Sequence, residues 1–94
     1  MSEIPEEFKK FSASFYSDPL DQARSFEEIV DDRIRRLARH RRVVVAGYLD
    51  DLLQKGNEAE MKLAWLTGGA NFGPGDQQYH AFLTYIRTRV AATL

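Results

Sequence analysis

Residues 25–37 read Ser25-Phe26-Glu27-Glu28-Ile29-Val30-Asp31-Asp32-Arg33-Ile34-Arg35-Arg36-Leu37, and their order decides the fold. Apolar side chains recur at Phe26, Ile29, Val30, Ile34 and Leu37. That spacing lines one face of an α-helix. Ser25 followed by Glu28 is a capping box, in which each side chain can bond the other's free backbone N–H. The acids occupy the first turns and the arginines the last, each sign where the helix dipole favours it.

The same period extends in both directions. Upstream, Ile4, Phe8, Phe11 and Phe15 predict a helix over about 4–16, with Pro5, Glu6 and Glu7 suited to its first turn and Ser17-Asp18-Pro19 ending it. Downstream, a break is expected between Arg39 and Arg42. No glycine or proline enforces it, so one long bent helix is the alternative. A third helix covers about Val43 to Gln54 and stops at Lys55-Gly56-Asn57. Asn57 is placed to cap a fourth, with Glu60 three residues on, holding Met61, Leu63, Ala64, Trp65 and Leu66 up to Gly68-Gly69. Residues 68–76, GGANFGPGD, form a loop, and Asp76 is the expected cap of a last helix striped by Tyr79, Phe82, Leu83, Ile86 and Val90. Strand-like alternation is limited to a weak trace at Val43 to Val45. The expectation is an all-α protein, an irregular antiparallel bundle of four to five helices in one domain over residues 1–94.

The totals agree with a globular domain. Of 94 residues, 44% are apolar and 29% charged, which argues against wholesale disorder. The absence of cysteine excludes disulfides, thiolate metal sites and cysteine nucleophiles, and fits a reducing cytoplasm. The N-terminus lacks the basic-then-apolar pattern of a secretory signal. The longest apolar run, around Val43 to Leu49, is far short of the roughly 20 residues a membrane span needs.

The net charge of −1 hides segregation. Glu27, Glu28, Asp31 and Asp32 cluster directly before Arg33, Arg35, Arg36, Arg39, Arg41 and Arg42. Carboxylates at these i,i+3 and i,i+4 spacings can hold a hard cation, but neither His40 nor His80 follows a glutamate by three residues, so no metal and no cofactor is expected. No serine sits in a nucleophile elbow, and His80 with Asp76 one turn earlier is a weak catalytic pair. The glycine loop matches no phosphate-binding motif, although Phe72 among glycines is placed either to plug the core or to meet a partner. The arginines make Arg35, Arg36, Arg39, Arg41 and Arg42 the alternative phosphate-binding set, with Arg33 beside them. Against that, acids adjoin them, aromatics do not interleave, and the pI is about 6.1. Internal ion pairs of Glu28 and Asp32 with Arg35 and Arg36 are the other use for them.

Three blocks carry a resemblance to a known family: Phe11-Ser12-Ala13-Ser14-Phe15-Tyr16-Ser17-Asp18, then residues 25–32, then Tyr48-Leu49-Asp50-Asp51-Leu52-Leu53 followed by Glu58-Ala59-Glu60, the Trp65 to Gly75 loop and Tyr79 through Arg87. Their order and spacing resemble the small helical immunity proteins of bacterial contact-dependent growth-inhibition systems. That resemblance implies a non-enzymatic cytoplasmic protein that covers a cognate toxin domain. It implies partner-binding roles for Glu27, Glu28, Asp31, Asp32, Asp50 and Asp51 towards a basic toxin, with Phe72 and Tyr79 as anchors. A nucleic-acid-associated regulator using the arginine run is the competing expectation, and a homodimer through an apolar helix face is a further one.

Overall fold

The computed structural model describes residues 4–15, 25–70 and 73–94. Five helices follow one another: α1 (Glu6–Ala13), α2 (Phe26–Arg35), α3 (Arg39–Lys55), α4 (Glu58–Thr67) and α5 (Tyr79–Ala91). The described residues contain no strand. The all-α bundle expected from the apolar periodicity is the observed architecture.

Two helix starts follow from local sequence. At α2, the Glu28 N–H donates to Ser25 Oγ at 3.2 Å, and the Ser25 hydroxyl donates in turn to Glu28 Oε1 at 3.2 Å. The box closes hydroxyl to carboxylate rather than carboxylate to backbone. At α4, the Glu60 N–H donates to Asn57 Oδ1 at 2.9 Å.

Three boundaries differ from expectation. α1 ends at Ala13, and Phe15 is completely buried although it lies beyond the helix. The α2–α3 break falls earlier than the expected Arg39 to Arg42, within the arginine run. The Leu37 N–H closes a tight turn on Ile34 O at 3.0 Å, and Ala38 then adopts extended φ −63° and ψ 153°. Leu37 packs on the core at this corner, so side-chain burial turns the chain without glycine or proline. Arg39 to Arg42 therefore form the first turn of α3. Asp76 does not cap α5. The cap position belongs to Gln78, preceded by Gln77 at a left-handed φ of 68°.

One core joins all five helices, and Trp65 is its hub. Its ring lies 4.9 Å from Phe15, 5.0 Å from Phe82, 6.3 Å from Phe8 and 6.4 Å from Phe11, the pairs being tilted or edge-on. Such geometries suit the aromatic quadrupole. α3 and α5 form the most extensive helix pair, α1 crosses both α3 and α4, and α2 lies on α5. The α1–α4 crossing depends on a glycine. A β-carbon at Gly68 would collide with Ser12 Oγ and the Lys9 carbonyl. Ser12 is fully buried and donates to that carbonyl at 3.1 Å.

A buried charge ties α1 to α2. Arg33, exposed by only 1%, donates from Nε to the Ser14 carbonyl at 2.8 Å and from Nη1 to Asp32 Oδ2 at 2.9 Å. Among the described residues no helix is long and apolar enough to cross a membrane.

Candidate functional site

The capping box fixes the first turn of α2, and that turn presents Phe26 outward. Phe26 is 38% exposed, an unusual position for a large aromatic ring. Its ring lies 5.6 Å from both Phe82 and Tyr85 on α5, tilted by 38° and 35°. Phe82 and Tyr85 are themselves half-buried, and Phe82 continues inward to Trp65. A line of rings thus runs from the surface to the core hub, giving the exposed ring a rigid seat.

Glu27 and Asp31 adjoin this aromatic face, whereas Glu28, two residues from Phe26, projects from roughly the opposite side of α2. Glu27 and Glu28 are exposed, and neither forms an ion pair with a described residue. One turn on, Asp31 receives two parallel hydrogen bonds from Arg89, Nε to Oδ1 at 2.9 Å and Nη2 to Oδ2 at 2.6 Å. The Arg89 hydrogen bond is the main cause that holds the Asp31 carboxyl below its ordinary range, against the opposing pull of desolvation. Desolvation holds the Tyr85 phenol above its ordinary range. Arg89 works against that shift, while the charges of Glu27 and Asp31 add to it.

α5 is held in register for this face by a carboxylate from another helix. Glu58, in the first turn of α4, accepts the Tyr79 N–H on Oε1 at 2.9 Å and the His80 N–H on Oε2 at 2.7 Å. It does the work expected of Asp76, which instead binds Lys62 Nζ at 2.9 Å. No ion pair joins Asp76 to His80 among the described residues.

The six acids expected to meet a partner do not act alike. Asp32 is held by Arg33 and by Arg36, each at 2.9 Å, the second being the expected i,i+4 pair. Asp50 meets Arg87 at 2.6 Å, an ion pair whose Nε–H does not point along the contact. Asp51 lies 3.6 Å from Lys55, both exposed. Arg87 and Arg89 project from roughly opposite sides of α5, so Asp50 and Asp31 are on different faces. Glu27 and Asp31 share one surface. Glu28, Asp50 and Asp51 do not belong to it.

The expected anchors also need revision. Tyr79 is 4% exposed and packs edge-on against Phe82 at 6.4 Å, so it supports the core rather than offering a surface ring. Phe72 lies outside the described residues. The aromatic face formed by Phe26, Phe82 and Tyr85 was not expected because the 3.6-residue period assigns Phe26 and Phe82 to core stripes and leaves Tyr85 outside them. Only the position of Phe26 directly after the cap residue hinted otherwise.

The arginine run divides in two. Arg33 is a core residue, which removes it from any surface set. Arg35, Arg36 and Arg39 are exposed, Arg41 and Arg42 half-buried. Arg42 Nε is enclosed and has no acceptor. A shallow depression of about 200 Å³ beside Arg41 and His40 is closed on the α1 side by Glu6, Glu7 and Lys10.

Among the described residues no group of three His, Asp or Glu is arranged to hold a metal ion. No family model, no curated protein and no solved structure matches this chain.

Proposed function

We propose that this chain is an immunity-like, non-enzymatic protein that binds and neutralises a cognate toxin domain in the bacterial cytoplasm. The observation that carries this reading is the partly open Phe26 ring, seated on Phe82 and Tyr85 with Glu27 beside it. Exposed aromatics on a rigid base supply slow release, and unpaired carboxylates around them steer a basic surface into contact. Both sources of the idea, the resemblance of the three sequence blocks and the geometry of this face, point to gripping rather than to chemistry.

In this reading Phe26 and Glu27 form the contact. Asp31 sets its lower edge while bonded to Arg89. Asp32, Asp50, Asp51 and Tyr79 stabilise the fold and lie outside the contact.

Co-expression tests the proposal. The chain is produced in cells together with the polypeptide whose gene adjoins its own. The proposal expects growth to be preserved with the native chain and lost with Phe26→Ala combined with Glu27→Lys, at unchanged soluble yield. An adjoining polypeptide that is harmless alone, or protection that survives both substitutions, would count against it.

A further inference from the structure

The corner between α2 and α3 is a second surface, opposite in sign to the first. Residues 33–49 contain no acidic residue, while Arg35, Arg36, Arg39, Arg41 and Arg42 fall within eight positions. Arg35, Arg36, Arg39 and His40 are exposed there. Among the described residues only Arg36 of these is committed to an ion pair, with Asp32.

Arg35 and Arg36 close α2, where the helix dipole favours them, but the cations after the corner lack that support. Arg39, His40, Arg41 and Arg42 fill the first turn of α3, where the helix dipole disfavours positive charge. That turn has no acid in it, and Ala38 provides no capping side chain. The cap residues of α1, α3 and α5 all lack a capping side-chain bond, and of these helices it is α3 that opens on arginines. Glu6 and Glu7 of α1 line a depression with His40 and Arg41, and the exposed Arg35, Arg36 and Arg39 extend the positive surface beyond it.

The chemistry favours phosphate. Every Lys or Arg in the corner is arginine, and the four lysines, Lys9, Lys10, Lys55 and Lys62, all lie elsewhere. Arginine's planar fork matches phosphate oxygens in pairs, whereas lysine is a point charge. Among residues 35–42 there is no aromatic side chain on which an unpaired base could stack. The apolar side chain exposed beside the corner, Val43, is not an aromatic anchor of the kind that centres a protein interface.

We infer that the Arg35, Arg36, Arg39 and Arg41 corner binds the phosphate backbone of double-stranded nucleic acid without reading its sequence. This site is separate from the Phe26 face and does not depend on the toxin-binding role. The contact is electrostatic, so its affinity follows counterion release.

Fluorescence anisotropy with a labelled DNA duplex of about 20 base pairs tests it. The native chain is expected to bind at low salt, with the logarithm of the association constant falling at a slope of about −3 against the logarithm of salt concentration, as for three to four phosphates. Arg35→Gln with Arg39→Gln should weaken binding at least tenfold. Lys55→Gln with Lys62→Gln removes the same charge elsewhere and should leave it within about twofold. Both pairs change exposed side chains, and circular dichroism confirms that the helices persist. No binding at low salt overturns the inference, as do equal losses in the two variants. Tighter binding to a single strand, or equally tight binding to polyglutamate, overturns it as well.

Discussion

The guanidinium of Arg89 grips the carboxylate of Asp31 through two parallel hydrogen bonds of 2.9 and 2.6 Å. This fork docks α2 on α5 and fixes the edge of the Phe26 face. Both side chains are more than a third exposed, so solvent and salt weaken the pair. Asp31 titrates below its ordinary range when folded. Stability from the pair is therefore complete above the unfolded carboxylate range, near pH 4, and is lost as pH falls through the lowered folded value. Urea unfolding should show Asp31→Asn slightly less stable than the native chain at pH 7. The difference should vanish at strongly acidic pH.

Arg33 predicts a larger effect. Removing it with Arg33→Ala leaves a cavity and an unpaired Ser14 carbonyl. Thermal unfolding should show a loss of about 2–4 kcal/mol, within the range for breaking one side of a buried ion pair. Arg33→Met refills the volume and should recover part of that loss. Equal effects from the two would mean that packing at this position does not matter.

Glu58 caps a helix that it does not belong to. Glu58→Gln retains one acceptor oxygen of two, and Glu58→Ala retains none. The expected losses are about 0.5–1 and about 1–2 kcal/mol. Amide hydrogen exchange localises the effect, with Tyr79 and His80 exchanging faster while the α2 amides are unchanged.

Which features were legible in the sequence follows from how far apart their partners lie. Ser25 with Glu28 and Asn57 with Glu60 are three residues apart, and both caps form. The pairing of Asp32 with Arg36 is one helical turn and forms too. The Arg33–Ser14, Glu58–Tyr79 and Arg89–Asp31 contacts span 19, 21 and 58 residues. The apolar period places Arg33 in line with Phe26, Val30 and Leu37 and puts Arg35 on the opposite side of the helix, so the burial of Arg33 was legible in its spacing, though not its partner Ser14. The same limit explains Asp76. A capping residue was sought immediately before α5, and the actual carboxylate comes from α4. The aromatic face was hidden for another reason. Phe26 and Phe82 obey the core period, Tyr85 lies beside it, and only the meeting of α2 with α5 decides that their outer edge stays open.

The first turn of α3 offers a prediction in the stabilising direction. Ala38 has the extended backbone of a cap residue but no side-chain acceptor. Ala38→Ser supplies one and should raise stability by about 1 kcal/mol. Thermal denaturation checks this, and an unchanged midpoint would show that the first-turn N–H groups are already satisfied. On the separate account of the arginine corner, the same substitution leaves duplex binding intact, since no arginine is altered.

The most direct test of the binding role is titration calorimetry between this chain and the polypeptide encoded beside it. The account predicts a one-to-one complex of submicromolar affinity that Phe26→Ala weakens at least tenfold and Lys55→Ala leaves unchanged. No heat of association, or a complex indifferent to Phe26→Ala, would contradict it.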